Sequence, residues 1–254
     1  MRYVRHVDRG VFDPDEFHSH FIADPSSGLD SCYCILTRVP PGKGTTRGEH
    51  VHPADQLYYV LSGEMHVLLG GDERVARPGQ LVWIPAGLPH WNWNTGAEPE
   101  VHFELIVPAP ERASLVLDPG SLPEPAAAFP LVRTLDSSAF EPERFSQVVL
   151  ADRASGVESV SFGIFRVPPG RGTELHAHRF DQIYFVIEGR MGLEIGFETY
   201  EAGSDTLVVI PAGMPHRNWN PGGEPEYHVN LRAPQPNEDF ALWDLPVRYG
   251  APGA

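Results

Sequence analysis

The chain has 254 residues, a formal net charge of -15 and a hydrophobic share of 41%. An acidic balance of that size excludes nucleic acid and anionic membrane surfaces as partners, because both require Lys/Arg patches. Small anionic substrates stay open, since a bound dication would set the local field.

Twenty-five Gly and 26 Pro lie between short apolar runs and predict many short strands closed by turns. Met1 to Asp8 carries no apolar stretch of the kind a signal peptide needs, and no run reaches the roughly 18 apolar residues of a membrane span. Phe12 to Phe17 is expected to start a short helix. Cys32 and Cys34 are the only cysteines and stand two apart, so they are read as apolar packing on one strand. With no disulfide framework, a reducing, cytoplasmic location is expected. Next comes His50-Val51-His52-Pro53-Ala54-Asp55-Gln56. Strands are predicted over Leu57 to Leu61, Met65 to Leu69 and Leu81 to Ile84, with a tight turn at Ser62-Gly63-Glu64. Ile84-Pro85-Ala86-Gly87-Leu88-Pro89-His90 then places a further His 34 residues after Gln56.

The second half repeats the first. Val4-Arg5 matches Val132-Arg133, and Arg38-Val39-Pro40-Pro41-Gly42 matches Arg166-Val167-Pro168-Pro169-Gly170. His176-Ala177-His178, Gln182 and the phrase from Ile210 to His216 match His50, His52, Gln56 and His90. A repeat of this length predicts two complete units. The expected boundaries are 1–107 for the first barrel, 108–130 for a linker of little structure, 131–240 for the second barrel and 241–254 for a tail. Many evenly spaced strands predict an all-β fold of two small barrels or jelly rolls in tandem.

Residues i and i+2 of a strand share a face, so His50 and His52 can reach one point, and Gln56 keeps that phase. His90 follows a Pro-x-Gly turn that can return it there. Three imidazoles and an amide oxygen per half suit one divalent transition metal (Fe, Mn, Ni, Co, Cu or Zn) per barrel. The candidate ligands are His50, His52, Gln56 and His90, then His176, His178, Gln182 and His216. His102, Glu104 and His228 are the acid–base candidates. Their strand either turns these residues inward as a proton shuttle or presents a solvated face opposite Val101, Phe103 and Leu105. Arg38, Arg166 and Arg217 are candidate carboxylate clamps, with structural ion pairing the alternative for Arg38 and Arg166. Asn94 and Asn220 are read as turn groups, and Trp91 and Trp93 as core or as a roof over a ligand.

These phrases resemble the two motifs of the cupin superfamily. The first runs from Gly44 through His50-x-His52 and Gln56 to Gly63; the second runs from Gly79 through Pro85-x-Gly87 and His90 to Asn94. Gly170, His176, His178, Gln182 and Gly189, then Pro211, Gly213, His216 and Asn220, give the second copy, whose Gly203 is displaced by two residues. The resemblance implies a bicupin of two jelly-roll, double-stranded β-helix barrels. Metal-binding cupins mostly carry Glu where this chain has Gln56 and Gln182, so it looks less like oxalate-decarboxylase-like and quercetin-dioxygenase-like bicupins. It is similar to the Gln-type bicupin isomerases of the bacilysin-pathway kind and to cupins that rearrange unsaturated uronates. That similarity implies a metal-dependent enzyme acting on a small oxygenated acid, keto acid or sugar acid by enolisation or isomerisation. Oxygen-dependent cleavage of a phenolic or enediol substrate is the alternative, and a non-catalytic metal or ligand binder a third. The expected partner is a small-molecule substrate, and both monomer and homodimer remain open.

Overall fold

A computed structural model describes residues 3–126, 131–236 and 244–249. The chain belongs to two compact units, Asp8–Leu135 with Arg153–Ser159, and the described residues of Met1–Val7, Asp136–Asp152 and Val160–Ala254. Among the described residues the only helices are single 3-10 turns, and no helix is long and apolar enough to cross a membrane.

The first unit is built on a six-stranded antiparallel sheet. Its order is Val132–Thr134, Gln80–Ile84, Asp55–Ser62, Glu100–Val107, Tyr33–Val39 and His18–Ala23. A three-stranded sheet of Asp72–Ala76, Met65–Leu69 and His90–Trp93 accompanies it. Tyr58, Val60, Val82 and Ile84 of the large sheet pack with Met65, Val67 and Leu69 of the small one. These apolar faces alternate along their strands, as burial on one side of a β-sandwich requires. The turn at Gly63 has φ +74°, and a Cβ there would meet the Pro99 carbonyl oxygen at 2.6 Å. Only glycine fits that turn without displacing backbone.

The second unit repeats the plan. Val4–His6, Thr206–Ile210, Asp181–Glu188, Glu226–Ala233, Ser161–Val167 and Ser146–Ala151 form its six-stranded sheet. Glu198–Gly203, Arg190–Ile195, His216–Trp219, His176–Ala177 and Leu245–Pro246 form the other. The core again joins the sheets through Tyr184, Val186, Met191, Leu193 and Val208.

Four expectations are corrected. Each unit takes the first strand of the other repeat: Val4 pairs with Val208, whereas Val132 pairs with Val82. The matching Val-Arg pairs carry the same edge pattern, so either copy can seal either sheet. Next, 108–130 is more than a linker. Val51 and Leu117 exchange both backbone hydrogen bonds, at 3.1 and 3.0 Å, and Leu115 is buried with Tyr33, Ile35, Ala54 and Ile106. Residues 127–130 of that stretch lie outside the described residues. The tail contributes as well, since Leu245 and Pro246 pair with Ala177 and His176. In addition, Phe12 to Phe17 forms no helix; Asp8 caps a single turn at Arg9–Val11 instead.

Candidate metal centres

In the first unit the backbones of His50 and His90 exchange both hydrogen bonds at 3.0 Å. This register brings the two imidazoles together, and His52 joins them from two residues further along. Their ring centroids lie 4.4 to 5.1 Å apart, and one nitrogen from each falls within 4.8 Å of the others.

Backbone carbonyls settle which nitrogens those are. The Nδ1 atoms of His50, His52 and His90 lie 2.8, 2.5 and 2.9 Å from the oxygens of Gly48, Leu115 and Leu88. A carbonyl only accepts, so each Nδ1 carries the hydrogen and each Nε2 keeps its lone pair. Burial holds the rings neutral, pulling His52 down to about 4 and His90 well below the usual histidine range. His52 Nε2, His90 Nε2 and Gln56 Oε1 are buried with no hydrogen-bond partner among the described residues. Three neutral imidazoles and an amide oxygen fit a transition dication, whose bonds would satisfy those buried lone pairs.

Gln56 owes its orientation to Glu104. Its Nε2 donates to Glu104 Oε1 at 2.5 Å, which leaves Oε1 as the free end of the amide. Thr37 Oγ1 donates to the other Glu104 oxygen at 3.1 Å. A glutamate at 56 would set two carboxylates against each other, which gives the departure from the usual Glu a physical reason. Glu104 is 7% exposed and borders, with the histidines, a cavity of about 180 Å³. Burial raises its pKa, and the nearby His102 and the two hydrogen bonds only partly offset this.

His102 is buried beside it, with Nε2 3.9 Å from Glu104 Oε2. Its Nδ1 faces both oxygens of Glu100, at 2.9 and 3.0 Å. Burial lowers its pKa, but the Glu100 and Glu104 carboxylates outweigh that, and the net shift is upward. His102 and Glu104 thus point inward, and the solvated-face alternative is set aside. Every residue of Glu100–Val107 is buried, so both faces of this strand are covered.

The second unit reproduces the triad but not its surroundings. His176, His178 and His216 cluster with centroids 4.4 to 5.0 Å apart. His216 Nδ1 lies 2.9 Å from the Met214 carbonyl, while its Nε2 stands 2.7 Å from Gln182 Oε1. Two lone pairs facing each other at that distance fit a shared cation. Burial pulls His216 down to about 3, with the neighbouring His176 adding to the effect. Gln182 Nε2 faces Asn230 Oδ1 at 3.5 Å, where the first unit has a carboxylate. His228 is buried, bonded to Glu226 and stacked on Phe165 at 5.3 Å and 7°. It does not border the cavity of about 100 Å³ here, as His102 borders the first.

Post-barrel segments complete both centres, and sequence reading missed this. Leu115 supplies the carbonyl to His52. In the second unit His178 Nδ1 faces Asp244 Oδ1 at 3.5 Å. A carboxylate behind a ligating histidine fixes its ring and raises its basicity. Asp244→Asn is therefore expected to weaken retention of one of two bound metals about 10-fold in a chelator competition. Unchanged retention would show that Asp244 does not orient His178.

The other sequence candidates have structural roles. Arg38 donates to the Asp13 and Pro14 carbonyls, Arg166 to that of Pro142, and Arg217 pairs with Glu194. Asn94 bonds the Val39 and Glu98 carbonyls, and Asn220 those of Val167 and Glu224. Trp91 and Trp93 stack on each other at 4.6 Å, away from the cavity lining.

Two antiparallel β units, each holding a buried three-histidine group, define a metal-binding double-barrel protein. A family model described as Cupin domain matches residues 35–107 and 163–229. The chain belongs to the cupin family. It is similar to the tetracenomycin polyketide synthase protein TcmJ of Streptomyces glaucescens, at 32% identity over 113 residues, 42% of this chain and 73% of that one. A shorter match, to a Streptomyces coelicolor protein, is 30% identical over 59 residues, spanning 23% of this chain and 56% of that one. Among solved structures, salicylate 1,2-dioxygenase of Pseudoaminobacter salicylatoxidans superposes with TM-score 0.69 at 14% identity, over 88% of this chain and 76% of that one. Bacillus subtilis oxalate decarboxylase gives 0.64 at 17%, over 87% and 76%. At these identities the structural likeness speaks for the fold.

Proposed function

We propose that the first unit is the active centre of a metal-dependent enzyme that enolises or isomerises a small oxygenated acid, keto acid or sugar acid. The observation that carries this reading is Glu104, a buried carboxylate of raised pKa bordering the cavity beside the histidine group. In this reading His50, His52, His90 and Gln56 hold the dication, and His176, His178, His216 and Gln182 hold a second. Neutral ligands would leave a bound dication its full charge, and the chemistry it would supply there is electrostatic stabilisation of negative charge on a substrate oxygen.

The protein's own groups handle the proton. Glu104 takes it from the carbon next to the substrate carbonyl, and its raised pKa makes it a stronger base than an exposed carboxylate. Gln56 and Thr37 hold the carboxylate in place through one hydrogen bond to each oxygen. His102, held by Glu100, stands behind Glu104 as a proton reservoir. Ile35, Ile106, Leu115 and Val116 border the same cavity and keep water from competing.

The test is deuterium exchange at the carbon beside the carbonyl of small 2-oxo acids, followed by NMR under argon with the metal-loaded protein. Exchange without oxygen supports the reading. Turnover that consumes oxygen and stops under argon would instead establish the dioxygenase alternative. Full metal loading with no turnover of any acid, with or without oxygen, would leave a ligand binder.

A further inference from the structure

Each histidine group has a neutral companion that the proposed proton transfer does not use. On the strand His216–Trp219, His216 and Asn218 are buried while Arg217 is exposed, so the asparagine shares the inward face of the third histidine. Asn92 stands in the same phase to His90. Asn218 borders the second cavity with Thr173, His176, His178 and Gln182. Asn92 borders the first with Thr45, His50, His52 and Gln56.

A threonine clamps one end of each amide. Thr173 Oγ1 accepts from the Asn218 backbone N–H at 3.1 Å and donates its own hydrogen to Asn218 Oδ1 at 3.0 Å. The Thr173 backbone N–H donates in turn to the Asn218 carbonyl at 2.8 Å. So close an approach needs a glycine beside it, because a Cβ at Gly172 would meet that carbonyl oxygen at 2.2 Å. With Oδ1 tied to the threonine, Nδ2 is the end left over. It is buried with no hydrogen-bond partner among the described residues, on a side chain whose residue is 1% exposed. The first unit repeats the clamp. Thr45 Oγ1 donates to Asn92 Oδ1, the Thr45 N–H reaches the Asn92 carbonyl at 3.0 Å, and a Cβ at Gly44 would meet the same oxygen at 2.7 Å.

A buried N–H without an acceptor is destabilising, and one held in place by its neighbours calls for an oxygen from outside the chain. An amide is an uncharged donor and matches a neutral carbonyl oxygen, whereas charged donors make the stronger bonds to carboxylates. We propose that Asn218, and Asn92 in the first unit, recognises the carbonyl oxygen of a small oxo acid beside each histidine group, with Thr173 and Thr45 as the positioning residues. An oxo acid satisfies the orphan N–H; an acid with a methylene at that place leaves it unpaired and is rejected. This inference takes its ligand class from the proposed function, but its test reads binding and needs no turnover.

The full chain is loaded with zinc and titrated calorimetrically with pyruvate and with propionate, which share a carboxylate and differ at the second carbon. Wild type should prefer pyruvate at both sites. Asn218→Leu should weaken one pyruvate site about 10- to 100-fold and leave propionate unchanged, and Asn92→Leu should do the same to the other. Metal content, measured in parallel, should stay at two per chain. Equal pyruvate affinity in wild type and N218L overturns the inference, as does an equal loss for both acids or a wild type without preference. Should N218L lose its metal, Thr173→Val decides. It keeps the volume but releases the amide, so the pyruvate preference should fall at one site, and Thr173→Ser should retain it. An unchanged preference in T173V overturns the inference. Asparagine-dependent selection of pyruvate without any exchange chemistry would sink the proposed reaction and leave this recognition standing.

Discussion

Glu104→Gln should lower the exchange rate of the responsive acid by about 10²- to 10⁴-fold, the usual contribution of a positioned general base. The amide oxygen of the new side chain still accepts from Gln56, so the ligand set and the metal content should be unchanged. A second signature separates loss of a base from a damaged fold. A carboxyl whose folded-state pKa is raised contributes stability below its unfolded pKa and loses that contribution as pH rises through the folded value. Once ionised, Glu104 is therefore a burden that the amide removes, and Glu104→Gln should melt no lower than wild type at pH above the folded value. In the wild type, kcat/KM should fall on the acid side at a pH above the ordinary carboxylate range, because only ionised Glu104 accepts a proton. A variant that exchanges at the wild-type rate would remove Glu104 from the reaction.

His52→Ala and His178→Ala should each lower the metal content by about one equivalent per chain, read by inductively coupled plasma mass spectrometry. Each change removes one of three imidazoles from a group whose remaining lone pairs are buried. At metal concentrations about 100-fold above Kd, the lost binding corresponds to roughly 3 kcal/mol. That is about 9–15 °C of Tm for a unit of this size. The shift should fall on one unit only, so a single melting transition should split in two. Loss of both metals from either change alone would show that the centres are not independent.

The sequence made the triads legible because a period of two places His50 with His52, and His176 with His178, whatever the register of neighbouring strands. The link between Gln56 and Glu104 was not legible in this way. It depends on how Asp55–Ser62 lies against Glu100–Val107, and that register is set by the whole sheet. The inward placement of His102 and Glu104 stayed ambiguous because the strand is buried on both faces, which erases the usual apolar–polar alternation. Leu115 and Asp244 left no signal, because each reaches its histidine from a segment that composition alone assigned to linker or tail.

The exchange of first strands has a consequence for how the chain is made. Sealing the first unit brings Val132 back to Val82, whereas sealing the second brings Val4 to Val208. By loop-closure scaling the longer return costs only about 1 kcal/mol more. Timing separates the two far more than entropy does. On a ribosome the first sheet can be closed soon after residue 134 emerges, but Val4–His6 waits for Thr206–Ile210, with its own backbone donors and acceptors open throughout. An unpaired strand on a nascent chain is a template for a neighbouring polypeptide on the same message. High expression should therefore favour swapped or aggregated species joined through Val4–His6, and slower translation should suppress them.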